Sequence, residues 1–368
     1  MPPKVRLYVP DLPGVEALTP FLRRIEAARW YTNFGPLEQE FAAEAGRLLD
    51  AQDPPQVATV SSGTAALTLA LQALELPAGS RALTPALTFP ATAAAILAAG
   101  LEPVLADVDP GDWSLTPQIA RRWMAQVAVV VPVAAFGAGL SASAWDSFAG
   151  ETGIPVVLDA AGALGNQAMP RRCAAVFSLH ATKTLGVGEG GLVAAREAAL
   201  VERVRRLSNF GFQGGVAAMV AGNAKLSEWH AAVGLAQLPR AEALWSAKRS
   251  LADEYRRALP DFPMQPGTPG SLVVRLPVSA RQAAERLAAD GIETRRWYQP
   301  DLTRHPAYAR LTRAGELPAT EALNDRLLGL PFHGALESTD VQEVARSLTT
   351  AVGELTTKEG GRWASGSR

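Results

Sequence analysis

The stretch "VFSLHATKTLGVGEGGLV", residues 176–193, decides how this chain is read. An apolar run, "AAVFSL", ends in His180, Thr182 and a single lysine, Lys183. Glycines follow at Gly186, Gly188, Gly190 and Gly191, and the chain then turns apolar again. Lysine is almost never fully buried unless it is paired. Lys183 is therefore either a solvated lysine in a glycine loop or a lysine held inside for chemistry. Gly186, Gly188 and Gly191 formally match G-x-G-x-x-G, but that dinucleotide fingerprint has to open a helix. Here the glycines lead into "LVAA", a strand pattern, so a nicotinamide cofactor is rejected.

Upstream of this stretch, extended and helical patterns alternate from about Leu37. "QVATV", "PVLADVD", "VAVVVPVAAF", "PVVLD" and "AAVFSL" read as strands. "LEQEFAAEAGRLL", "TAALTLALQALEL", residues 91–99, "PQIARRWMAQ" and "SASAWDSFAGETG" read as helices. Such alternation predicts βαβ units and a mostly parallel sheet flanked by helices. Downstream come the strand "GGLVAA", the helix "REAALVERVRRLSNFG" and a long helical region over 224–259, kinked or split at Pro239. "SLVVRLPV" (strand), "ARQAAERLAADG" (helix), "IETRRWY" (strand) and "TDVQEVARSLTTAV" (helix) form a smaller α+β unit. The expected division is a large domain over 1–240, a small C-terminal domain over 241–355, and a polar Gly/Ser-rich tail, 356–368, without structure.

The bulk composition narrows the function classes. Of 368 residues, 48% are hydrophobic and 19% charged, which fits a globular protein with a large core. The formal net charge of -1 gives no basic excess for nucleic acid or an anionic membrane. One cysteine, Cys173, excludes an internal disulfide and fits a reducing compartment. The N-terminus lacks the apolar core of a signal peptide. The uncharged run 82–101 is broken by Pro85 and Pro90, so a short strand, turn and helix are expected there rather than a membrane span. These features point to the cytoplasm. The four histidines are dispersed, and no metal-ligand spacing is present.

Two further motifs join the lysine. In "VATVSSGTAALTLAL" a strand meets Ser-Ser-Gly-Thr and a helix begins at once. The first amides of a helix attract phosphate, and Gly63 lets a bulky anion approach the backbone. Ser62 is equally readable as a plain helix cap. In "PVVLDAAGALG", Asp159 ends an apolar strand, where a parallel sheet places ligand groups; alone, it also reads as a turn residue. A phosphate cradle, a strand-end carboxylate and a lysine after another strand end are together what pyridoxal 5'-phosphate (PLP) needs. Its phosphate is anchored, its ring nitrogen is kept protonated by a carboxylate, and its aldehyde is captured by lysine as a Schiff base.

With these motifs on view, the chain resembles the DegT/StrS-type family of PLP-dependent sugar aminotransferases, of the fold-type-I, aspartate aminotransferase-like class. "SSGTAAL", "LTFPATAAAILAAGLEPVLADVD", "FSLHATKTLGVGEGG" and "GNAKLSEWHAAVGLAQL" carry the resemblance, which runs from "WYTNFGPLEQEF" to "LPFHGALESTDVQEV". It implies Lys183 as the Schiff-base lysine and proton shuttle, and Asp159 at the pyridinium nitrogen. It implies Gly63, Thr64, Ala65 and Ser178 at the phosphate and Phe89 against the ring. It further implies Asn223 reaching the phosphate of the other subunit, hence a homodimer with shared active sites. His180 fills a family position without a role that physics assigns. Arg295, Arg296, Trp297 and Tyr298 offer charge and stacking toward the acceptor, with a core or surface role equally readable. The implied substrates are an amino-acid donor, L-glutamate, and a nucleotide-linked 4-keto-6-deoxy sugar. The chain departs from many relatives at Gly162, where they carry Gln or His toward the cofactor's 3'-oxygen. Dehydrating relatives tend to replace the lysine with His, and Lys183 argues against that reaction. Amination of a non-sugar ketone, or a non-catalytic PLP-binding role, stays open at this stage.

Overall fold

The computed structural model describes residues 3–364. In chain order its first half comprises α1 (Val15–Ala28), α2 (Pro36–Leu49), β1 (Gln56–Val60), α3 (Gly63–Gln72), β2 (Arg81–Pro85), α4 (Pro90–Ala98) and β3 (Glu102–Ala106). There follow α5 (Pro117–Arg121), β4 (Val129–Val130), α6 (Ala142–Thr152), β5 (Val157–Asp159), β6 (Ala174–Ser178), β7 (Gly191–Ala195) and α7 (Ala198–Leu207). After a small hairpin, β8 (Phe212–Gln213) and β9 (Val216–Ala217), come α8 (Glu228–Gln237) and α9 (Ala241–Ala258). The chain then forms β10 (Val273–Arg275), α10 (Ala280–Ala289), β11 (Thr312–Arg313), α11 (Pro318–Leu323), β12 (Leu327–Gly329) and α12 (Ser338–Ala364).

Eight of the strands join into one sheet, while β8-β9 and β10-β12 form separate antiparallel pairs. The order β1-β7-β6-β5 continues through the bridges Val130–Val156 and Val133–Asp159 into β4-β2-β3-β11. All are parallel except β7, which runs antiparallel to both β1 and β6. Every residue of β6 and β7 is buried. Helices cover both faces, so these strands need no polar side. One layer of core joins β6 and β7 to α2 and α8, through Phe41, Phe177, Leu192 and Leu235. The other packs the opposite face under α3 and α7, through Leu67, Val176, Val193 and Val204. A separate core holds Tyr255 of α9, Val274, Leu287 of α10 and Leu348 of α12.

Several elements differ from expectation, each for a local reason. "VAVVVPVAAF" ladders only at Val129–Val130, because Pro132 has no N–H to donate and a helical turn follows at Ala135–Gly137. "IETRRWY" is not a strand; it makes only the single bridges Val5–Ile292 and Arg295–Gly329. "PQIARRWMAQ" stops as an α-helix at Arg121. Residues 224–226 are extended, and α8 starts after its Ser227 cap, whose hydroxyl accepts from His230 N. Pro239 sits in the tight turn between α8 and α9, as the sequence suggests. Helix α1 was not foreseen. Val5 packs into the C-terminal core, so the extreme N-terminal segment does not side with the sheet. The tail expected to lack structure from residue 356 continues as helix to Ala364; residues 365–368 lie outside the described residues.

Candidate active site

The parallel strands β1, β2, β4, β5 and β6 all end along one edge, where open α/β sheets bind ligands. A cleft of ≈ 340 Å³ opens there. Asp159, the last residue of β5, is 7% exposed. Thr92 Oγ1 donates to its Oδ2 at 2.7 Å, and the Ala161 amide donates to Oδ1 at 3.2 Å. Burial pushes this carboxyl above the usual range, while Thr92, Ala161 and the charge of Lys183 pull the other way. A carboxyl so placed holds tightly to a proton or to a protonated partner.

Lys183 stands in the loop that leaves β6, its amide donating to His180 O at 2.8 Å. Its amine makes no hydrogen bond or ion pair among the described residues. Burial lowers its pKa, opposed by Asp159. Burial thus favours the free amine, the nucleophilic form.

The third component is the start of α3. Ser62 Oγ accepts from Ala65 N at 3.1 Å, so the capping reading of Ser62 is realised. Ala65's amide is thereby committed, which leaves the Gly63 and Thr64 amides facing the cleft without helical partners. Gly63 is required here: a Cβ would come within 2.7 Å of Ser178 Cβ. His180 also lines the cleft. Its Nδ1 accepts from Thr182 N at 3.3 Å and meets Thr182 Oγ1 at 2.9 Å, with Glu189 3.6 Å from Nε2. The ring thus braces the lysine loop.

The opposite wall comes from distant segments. Tyr298 stacks on Phe136 with centroids 4.7 Å apart, and the Phe136 amide donates to its hydroxyl at 3.4 Å. Phe89, 50% exposed, lies 6.4 Å from Trp297 and 6.3 Å from Tyr298. Tyr8 and Ser271 share a hydrogen bond of 2.7 Å. At the floor, Gly162 packs backbone to backbone against its neighbours. A Cβ on Gly137 would meet Gly162 O at 2.4 Å, and one on Gly270 would meet it at 2.3 Å.

Gly63, Thr64, Phe89, Asp159, Ser178, His180, Lys183, Trp297 and Tyr298 therefore line one cleft. Others of the expected set do not. Arg295 is exposed and lies 4.9 Å over the Trp297 ring, and Arg296 is exposed 3.8 Å from Asp325. Asn223 is exposed outside this cleft, its Oδ1 accepting from Lys225 Nζ at 2.7 Å. Sequence reasoning missed Thr92, Tyr8, Phe136 and Ser271. Thr92 had a faint signal, a polar residue among the alanines of α4. Tyr8 and Ser271 had none.

The residues fit PLP on the structure's own terms: open helix amides beside Gly63 for a phosphate, a buried carboxyl, and an amine without a partner. Fold and cleft together define a PLP-dependent aminotransferase of the α/β class. The chain belongs to the DegT/DnrJ/EryC1/StrS aminotransferase family, which matches over residues 15–349. Among relatives, Protein Rv3402c of Mycobacterium tuberculosis is 32% identical over 376 residues, covering 95% of this chain and 90% of that protein. The dTDP-4-dehydro-2,3,6-trideoxy-D-glucose 4-aminotransferase of Saccharopolyspora spinosa is 31% identical over 386 residues, covering 95% and 97%. The crystal structure of DesI with its TDP-sugar product superposes with a TM-score of 0.86 at 30% identity, covering 98% of this chain and 96% of that one. The cofactor expected from the sequence is the one these relationships support. No helix among the described residues is long and apolar enough to cross a membrane.

Proposed function

We propose that this aminotransferase moves an amino group from L-glutamate to the 4-ketone of a nucleotide-linked 4-keto-6-deoxy sugar. The observation that carries this reading is the unpartnered Lys183 amine in the cleft that Asp159 closes. The sugar assignment draws on the similarity to the S. spinosa 4-aminotransferase and to DesI. Bound PLP supplies the aldehyde that carries the amino group and a ring that withdraws electrons from the bond being broken. Lys183 would hold the aldehyde, and its Nζ, freed when the donor is bound, would serve as the base that moves the α-proton. Asp159 keeps the ring nitrogen protonated, and Thr92 fixes the orientation of its carboxyl. The Gly63 and Thr64 amides, with the Thr64 and Ser178 hydroxyls, hold the phosphate at the positive end of α3. Phe89 would pack on the ring, and Trp297 and Tyr298 would face the acceptor. Arg295 and Arg296, at the surface, are placed to meet the nucleotide end of the acceptor.

We further propose a homodimer in which Asn223 serves the partner's cleft. Its exposed position on an arm that also exposes Phe210, Phe212, Val216 and Val220 supports this reading. Light scattering of the protein with Asn223→Ala and Phe212→Asp, a charge placed on the arm, tests it: a monomeric Phe212→Asp variant is expected. For the reaction itself, the purified protein should show a visible cofactor band that L-glutamate bleaches and that is absent in Lys183→Ala. A band indifferent to L-glutamate refutes the donor; no band after PLP is added refutes the assignment of Lys183.

A further inference from the structure

Two hollows meet at Lys183. On one side is the large cleft. On the other is a pocket of ≈ 60 Å³ that shares Tyr8, Thr182, Lys183 and Thr184 with it. Lys248 of α9 and His333 face this smaller pocket. Lys248 Nζ donates to Gly270 O at 3.1 Å and lies 5.4 Å from the Phe332 ring centroid. Among the described residues no carboxylate pairs with it. The acid at the pocket's rim, Asp11, is held by Arg240 at 2.5 Å. Burial, reinforced by the charge of Lys183, lowers the Lys248 pKa to about 8.

His333 is only 8% exposed. Its Nε2 lies 3.0 Å from Arg6 O, and since a carbonyl only accepts, this nitrogen carries the hydrogen. Nδ1 is buried with no partner. Burial and the charges of Arg6 and Lys248 lower the ring's pKa, opposed by the Arg6 carbonyl and Asp340. Two nitrogen groups with unfilled capacity thus converge on one small space. Burial disfavours the charged form of both. A buried cation without a counter-ion is unfavourable, and one is expected to arrive with a ligand.

We propose that this pocket receives a carboxylate of the amino donor, with the Lys248 ammonium as counter-ion and protonated His333 as the second hydrogen-bond donor. The inference rests on the aminotransferase reading, because the donor's amino group must come to Lys183. A carboxylate on the same carbon then lies within two bonds, and the residues shared by the two hollows put the pocket at that reach. At ≈ 60 Å³ against ≈ 340 Å³ for the cleft, the pocket is the smaller hollow, with room for a carboxylate. Arg295, over the Trp297 ring, is exposed and lacks this enclosure.

Glutarate has two carboxylates and no amino group, so it probes the pocket without reacting. Calorimetry of glutarate binding to the PLP-loaded protein, to Lys248→Met and to Lys248→Arg tests the inference. Lys248→Met should weaken glutarate by at least about tenfold, as loss of a charged hydrogen bond does, and Lys248→Arg should restore most of the affinity. At pH 8, comparison of two buffers should show proton uptake on binding by the wild type and its loss in Lys248→Met. The KM for L-glutamate in the bleaching reaction should rise in parallel. Equal binding to wild type and Lys248→Met overturns the proposal. So does a wild type that ignores glutarate while L-glutamate bleaches its band. Glutarate binding that depends on Lys248 in a protein whose band L-glutamate leaves intact supports the carboxylate pocket and removes L-glutamate as donor instead.

Discussion

The two walls of the cleft are built from different material. One is made of strand ends and a helix start: Ser62 to Thr64 after β1, Asp159 on β5, Ser178 on β6 and Lys183 just beyond. Sheet hydrogen bonds or the start of α3 fix most of these backbones, and at most two torsions separate the functional atoms of Asp159, Ser178 and Thr64 from the scaffold; only Lys183 reaches in on a long side chain. The other wall is made of Tyr8, Phe136, Ser271, Trp297 and Tyr298, side chains delivered by segments with almost no regular structure. Aromatic packing and single hydrogen bonds hold them. The first wall suits a constant ligand that must be held to a fraction of an ångström. The second can be reshaped residue by residue without disturbing the sheet, which suits the selection of an acceptor.

That contrast orders the effects expected from substitution. Lys183→Ala should remove the visible band and reduce turnover by roughly 10²–10⁴-fold from the lost proton transfer alone, read in a steady-state amination assay. Asp159→Asn should cost less. Charged hydrogen bonds contribute about 1.5–3 kcal/mol, so kcat should fall by roughly one to two orders of magnitude. The same residue gives a pH test. Its carboxyl pKa is raised in the folded state, so the folded protein binds more protons than the unfolded chain. Stability of the cofactor-free protein should therefore fall as pH rises from the ordinary carboxylate range through the raised value. Thermal melts should show this slope flattened in Asp159→Asn.

Gly63→Ala forces a contact with Ser178 and should destabilise by about 1–3 kcal/mol, with weaker PLP binding in equilibrium dialysis. The smallest effect belongs to the irregular wall. Tyr298→Phe leaves the Phe136 amide without its acceptor, worth about 0.5–1.5 kcal/mol, and should raise KM for the keto sugar more than for L-glutamate. An equal rise in both would erase the distinction between the walls.

The same division governs what could be read from the chain. Gly63, Asp159, Ser178 and Lys183 were legible because each sits where an apolar run stops, and strand ends are a local signal. Thr92 was half legible, since its role depends on α4 lying beside β5. Tyr8 and Ser271 were not, because they meet through packing of segments 263 positions apart in sequence. "IETRRWY" looked like a strand because β-branched and aromatic residues favour one. In the fold it has only point contacts with Val5 and Gly329, and its aromatics face the cleft instead. Lys248 lies on the amphipathic α9, where nothing local marks it as lacking a counter-ion.

The backbone meeting of Gly137, Gly162 and Gly270 has a consequence for how this site can change over time. A side chain at Gly137 or Gly270 runs into Gly162 O, and a Cβ on Gly162 would stand 3.3 Å from Gly137 Cα. No large residue enters at any one of the three until the other two strands of chain have moved. Lineages descending from this sequence are thus expected to keep all three glycines or to exchange them together with the loop around Gly270, so that a longer side chain at position 162 is reached by a loop replacement rather than by a single codon change.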